Sequence, residues 1–113
     1  MPPFAVAQLD EIPSVPCPCG TARRAFGDRP NAPASVHLVD IKTDADRHHH
    51  LRTTEIYVVL EGTGFVEIDT QRIPVRPLSA VMIPPGSRHR AVGNLRLLNI
   101  VVPPFDPRDE FPG

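Results

Sequence analysis

Fifteen prolines divide this 113-residue chain. Proline has no N–H to donate and fixes its own φ angle, so it is excluded from helix interiors and from central strands. Its positions mark where regular structure stops. Pro2, Pro3, Pro13, Pro16, Pro18, Pro30 and Pro33 crowd into residues 1–34. That stretch reads as an arm over the surface, with one short strand at Thr21–Phe26. Residues 103–113, Pro103 to Gly113, read as an extended tail.

Residues 35–102 lie between them and are dense in strand signals. Ser35–Lys42 and Thr54–Leu60 are rich in β-branched residues, and Phe65–Asp69 alternates apolar with polar. Arg72–Val75, Ala80–Ile83, His89–Val92 and Leu95–Val102 complete the set, separated by turns such as Glu61-Gly62-Thr63-Gly64 and Pro84-Pro85-Gly86. No stretch repeats apolar residues at helical spacing, so almost no helix is expected. Aromatic residues make up 5% of the chain and Trp is absent. The core must come from Val, Ile and Leu, which favour strands. The pattern predicts a single all-β domain, a sandwich or barrel.

Twelve basic and thirteen acidic residues leave almost no net charge. Without a basic run, neither nucleic acid nor an anionic membrane is an expected partner. No apolar stretch approaches the ~20 residues that span a bilayer. Met1–Asp10 lacks the charged start and long apolar run of a signal peptide, so the expected location is cytoplasmic. Cys17 and Cys19 flank Pro18. The loop a disulfide would close between them is very small, so both are expected as reduced thiols, with a redox pair or a thiol reaching toward a metal as the alternative.

The chemistry concentrates in Arg47-His48-His49-His50-Leu51-Arg52-Thr53-Thr54-Glu55. Side chains alternate faces in an extended segment, so His48 and His50 point one way and His49 the other. Two imidazoles on one face can share a metal ion. An unbroken strand would place Glu55 on the opposite face, so Leu51–Thr54 must turn or bulge to bring it back. Two imidazoles and a carboxylate suit Fe(II), Mn, Ni, Zn or Cu. His89 is the best fourth ligand, because Pro84-Pro85-Gly86 fixes a sharp turn three residues before it.

These residues resemble the two motifs of the cupins. The first reads G-x5-H-x-H-x(3,4)-E-x6-G, and His48-x-His50-x4-Glu55-x6-Gly62 matches it from the first His onward. The second reads G-x5-P-x-G-x2-H-x3-N, and Pro84-x-Gly86-x2-His89 matches its centre. Lys42 and Leu78 stand where the leading glycines are expected, and Asn94 comes one residue late. The resemblance implies a jelly-roll barrel, the double-stranded β-helix of cupins, over residues 35–102. It also implies one divalent metal ion held by His48, His50, Glu55 and His89.

The ligands do not choose the reaction. The resemblance implies a non-haem metalloenzyme, with dioxygenase chemistry on a small organic molecule as the first expectation. A metal-dependent isomerase or lyase on a sugar or keto acid is the alternative, with His37 and Tyr57 as the candidate catalytic groups. A non-catalytic ligand-binding or sensor protein is the third reading. Arg23, Arg24, Arg52, Arg88 and Arg90 are candidate handles for a carboxylate or phosphate. Glu67 and Asp69 read as a solvated face. Cupins commonly dimerise, and a homodimer is expected.

Overall fold

Strand-forming residues pair as the alternation requires. The computed structural model, which describes residues 3–113, has strands β1 (Val15–Cys17), β2 (Gly20–Ala25), β3 (Ser35–Ile41), β4 (His48–His49), β5 (Thr54–Glu61) and β6 (Gly64–Ile68). They continue as β7 (Gln71–Val75), β8 (Ala80–Ile83), β9 (His89–Val92), β10 (Leu95–Val102) and β11 (Phe111–Pro112). Helical structure among the described residues is confined to two 3-10 turns, Leu9–Glu11 and Pro107–Asp109. None is long and apolar enough to cross a membrane.

All pairings are antiparallel and form two sheets. One runs β1-β2-β3-β10-β5-β8, the other β11-β4-β9-β6-β7. Together they make the jelly-roll barrel. The inner face shows in the burial of alternate residues: Glu55, Tyr57 and Val59 on β5, and Leu95, Leu97, Asn99 and Val101 on β10. Val39, Ile41, Val59, Val66, Ile83 and Leu97 fill the core between the sheets. Apolar burial is the main stabilising term in such a core. The core occupies one end of the barrel and leaves the other to polar side chains.

The ends of the chain take part in the sheets. β2 pairs along β3, placing Ala22 opposite Val39 and Arg24 opposite His37. In the tail, β11 pairs with β4, and Phe111 stacks on the ring of His49. The expectation for the cysteines was wrong. Cys17 and Cys19 are joined in a disulfide. The hairpin between β1 and β2 brings their Cα atoms to 5.0 Å, within the ~4.4–6.8 Å that a disulfide bridges. Counting the loop length overlooked the reversal of the chain at this turn.

Candidate metal centre

Three strands and two turns carry His48, His50, Glu55 and His89 to one place. β4 pairs with β9 so that His48 sits directly opposite His89, with ring centroids 4.5 Å apart. His50 follows β4, and its carbonyl accepts the Gly86 N–H at 2.6 Å. Gly86 has a φ of 85°, a conformation that glycine adopts without crowding. That turn ties His50 to the segment leading into His89. β5 supplies Glu55 from the facing sheet.

The required bend at Leu51–Thr54 is present, and a tail residue holds it. The buried Asp109 carboxylate accepts the Leu51 N–H at 2.9 Å, the Arg52 N–H at 3.1 Å and the Thr53 hydroxyl at 2.9 Å. Three donors on one carboxylate satisfy a loop that would otherwise bury unpaired groups.

All four side chains are buried, and one ligand atom from each lies within 4.8 Å of the others. This cluster can hold a metal ion. The tautomers favour it. His48 Nδ1 meets the Asp46 carbonyl at 2.8 Å, His50 Nδ1 that of Asp109 at 2.7 Å, and His89 Nδ1 that of Ser87 at 2.9 Å. A carbonyl only accepts, so each Nδ1 carries the proton and each neutral ring presents a bare Nε2. His89 Nε2 then faces Glu55 Oε1 at 2.7 Å. Two acceptors this close repel unless a cation, a proton or a metal ion, lies between them. His50 Nε2 stands 3.3 Å from the same oxygen and has no hydrogen-bond partner. The donor set fits a divalent ion.

Electrostatics agree with a cation-seeking site. Burial pushes the Glu55 carboxyl up, but the facing His50 and His89 imidazoles outweigh it and hold Glu55 well below the usual range. Burial and the neighbouring His89 keep His48 below its ordinary value. At His50 the carboxylate overcomes burial and raises it. Asn99 donates to Glu55 Oε2 at 2.5 Å and fixes the carboxylate.

His49 faces away, as alternation predicts, against Phe111. Arg90 also faces away and donates to Glu67 at 2.7 Å. Asp69 sits in a turn and accepts the Arg88 N–H. Tyr57 shares the inner face with Glu55 and is buried, its ring centroid 6.1 Å from that of His89. Burial lifts its hydroxyl well above the ordinary tyrosine value. His37 is buried on β3, with Nε2 2.8 Å from the Ser35 hydroxyl. Burial and then the charge of Arg24 push its pKa down to about 4.

Sequence reasoning missed Asn99, Asp109 and Glu110. Asn99 left a signal, a lone polar residue among the inward Leu95, Leu97 and Val101 of β10. Asp109 and Glu110 lie in a tail without periodicity and left none. Glu110 is half-buried and within electrostatic reach of His50, Arg24, Glu55 and His89.

Comparison with known proteins places this architecture. The sequence profile of the cupin domain (Cupin_2) matches residues 36–101. The uncharacterized protein MJ1618 of Methanocaldococcus jannaschii is 33% identical over 76 residues, covering 64% of this chain and 61% of that protein. The chain thus spans about three fifths of the length of the curated relatives it matches. A crystal structure of a protein from Planctomyces limnophilus is 44% identical with a TM-score of 0.88, covering 98% of this chain and 96% of that one. Pac13 from Streptomyces, a nucleoside dehydratase also solved with uridine, superposes with a TM-score of 0.85 over 97% of this chain and 91% of its own, at 17% identity. That last likeness is one of fold alone. The profile match over the barrel strands, on a jelly roll with this cluster inside, makes the chain a member of the cupin family.

Proposed function

We propose that this cupin is a metal-dependent enzyme for a small organic molecule, with one divalent ion held by His48, His50, Glu55 and His89. The observation that carries the reading is the convergence of three Nδ1-anchored imidazoles on one buried carboxylate oxygen. Non-haem oxygenase chemistry is the first reading. His48, His50, Glu55 and His89 would hold the ion, which would supply redox or Lewis-acid chemistry toward a bound substrate. The chain's own residues do the rest. Asn99 fixes the Glu55 carboxylate, and the apolar core behind Tyr57 keeps that end of the barrel free of water.

A second reading, a lyase of the dehydratase kind, is supported by two observations. Pac13, a nucleoside dehydratase, shares the fold. His37 stays neutral at pH 7, since burial and the charge of Arg24 hold its pKa at about 4, so its imidazole can hydrogen-bond a substrate hydroxyl without carrying charge. Tyr57, two strands away across Asn99, is the hydroxyl-bearing candidate. We propose further that two copies of the chain assemble as a homodimer.

Metal analysis of untagged protein, followed by turnover on a substrate panel, is the test. Bound iron with O₂ uptake supports the oxygenase. Turnover with zinc and without O₂ supports the lyase. A tightly held metabolite without turnover would make the protein a binder or sensor and overturn both. His50→Ala and His89→Ala should each lose the metal. Wild-type metal stoichiometry in these two variants would refute the centre itself.

A further inference from the structure

Among the strands that face the centre, β2, β3, β10 and β5 set one polar residue each into a continuous row. Arg24 lies opposite His37, His37 opposite Asn99, and Asn99 opposite Tyr57. The next row inward, Ala22, Val39, Leu97 and Val59, is apolar core. The polar row therefore lies between the core and Glu55, on the inner face. Two of its buried atoms have no hydrogen-bond partner: Arg24 Nε and Asn99 Oδ1. Because Asn99 Nδ2 is committed to Glu55, its Oδ1 is the acceptor left over.

We propose that Arg24 anchors the anionic end of a small organic acid whose other end lies at the metal centre; this rests on the reading of that centre given above. The other arginines near the centre are engaged elsewhere or exposed. Arg23 donates to the carbonyls of Asp10 and Ile12, Arg52 reaches Asp106, Arg90 holds Glu67, and Arg88 is exposed. Arg24 alone of the five shares the inward face of buried Ala22. Phe105 braces it: the guanidinium carbon sits 4.1 Å from the ring centroid, and the same ring packs edge-on against His37 at 5.6 Å. A guanidinium stacked on an aromatic face is held in place and keeps its in-plane N–H groups free for a carboxylate.

Glu110 lies within reach of Arg24 without an ion pair of 4 Å or less between them, which leaves the guanidinium open to a ligand.

Titration calorimetry of the metal-loaded protein with acetate and with dicarboxylates from malonate to adipate tests this. In the metal-loaded protein acetate goes to the ion, the stronger of the two contacts, and gives the single-contact baseline. At least one dicarboxylate should bind about tenfold or more tighter, the effect of one added charge-assisted pair. In Arg24→Gln that gain should vanish, with acetate affinity and metal content unchanged. Arg24→Lys, which keeps the charge without the fork, should retain part of the gain and serves if the Gln variant does not fold. Equal binding of acetate and every dicarboxylate by the wild type, or an undiminished gain in Arg24→Gln, would overturn the proposal. Metal content of the same samples judges the centre separately. Should the protein hold no metal, acetate alone decides: binding lost in Arg24→Gln sustains the anchor, and equal binding in both proteins overturns it.

Discussion

Leu78 holds a φ of 74°, in the left-handed region where a side chain crowds the neighbouring carbonyl at about 1–2 kcal/mol. It stands where the second cupin motif carries its leading glycine, and the backbone has kept the glycine's conformation. Its side chain is 83% exposed, so no packing offsets the strain. Leu78→Gly should therefore stabilise the protein, by a few tenths to about 1 kcal/mol after the entropy of glycine in the unfolded chain is set against the relief. Denaturant midpoints measure this. His37 gives the opposite kind of residue effect. Its folded pKa of about 4 lies below the ordinary 6.5, so between those values the unfolded chain takes up the proton and the folded one does not. The stability this neutral His confers is full above pH 6.5 and falls as pH drops toward 4, by about 3 kcal/mol at most. His37→Gln should flatten that limb relative to wild type. At this scale the sequence was most legible where alternation or a turn decided the matter. His48, His50 and His89 followed from period two and from Pro84-Pro85-Gly86. Asp109 was not legible, because its role depends on a contact to Leu51 and Arg52 more than fifty residues away in the chain.

The C-terminal segment shows what a short element does for the centre. Residues 106–113 supply the carbonyl that fixes the His50 tautomer, the carboxylate that ties down the 51–53 bend, and the strand that borders β4. Phe111 also packs on His49, which holds β4 flat beside His48. The segment contributes almost nothing to the apolar core, whose members lie between Ala22 and Leu97. Deleting residues 106–113 should then leave the β-sheet circular dichroism in place while metal affinity falls about 10–100-fold, the usual effect of losing groups that orient ligands. A competition titration against a chelator reads the affinity. Unchanged affinity would mean that the barrel alone holds His50. Apart from β4, the strands from Ser35 to Val102 were readable because each alternates or ends on Gly or Pro. β4 and β11 are two residues long, too short for any period to declare itself, and β1 with its disulfide needed the turn at Pro18-Cys19 to be known first.

At the scale of the molecule, the outer face of the six-stranded sheet is out of character for a solvated surface. Leu38, Leu98, Val58 and Ala80 form one row across it, and Val36, Ile100, Ile56 and Met82 form the next. An antiparallel sheet with one side in water puts polar residues there; this one puts eight apolar residues side by side, with Met82 67% exposed. The turn at Leu9–Glu11 lies over part of the first row, against Leu38 and Leu98, and leaves the second row open. Four strands at ~4.8 Å spacing and two rows of about four residues at ~3.4 Å give a face of about 260 Å² in projection. A stable pair needs about 800 Å² from each partner. The arm can add to that face, since Phe4 and Val6 are exposed at 62% and 84%. A two-fold pair with this sheet at its centre and each arm reaching over the other copy would meet the requirement, and it would leave the His48, His50, Glu55 and His89 cluster, on the inner side of the barrel, out of the interface. Light scattering at micromolar concentration should give a dimer for the wild type. Ile56→Glu, which sets a charge in the middle of the open row, should give a monomer that still binds metal, and removal of residues 3–8 should weaken the dimer without abolishing it. A monomeric wild type would leave the second row uncovered and overturn the assembly. Metal loss in Ile56→Glu would show instead that the outer face supports the centre through β5, the strand that carries Glu55 on its other side.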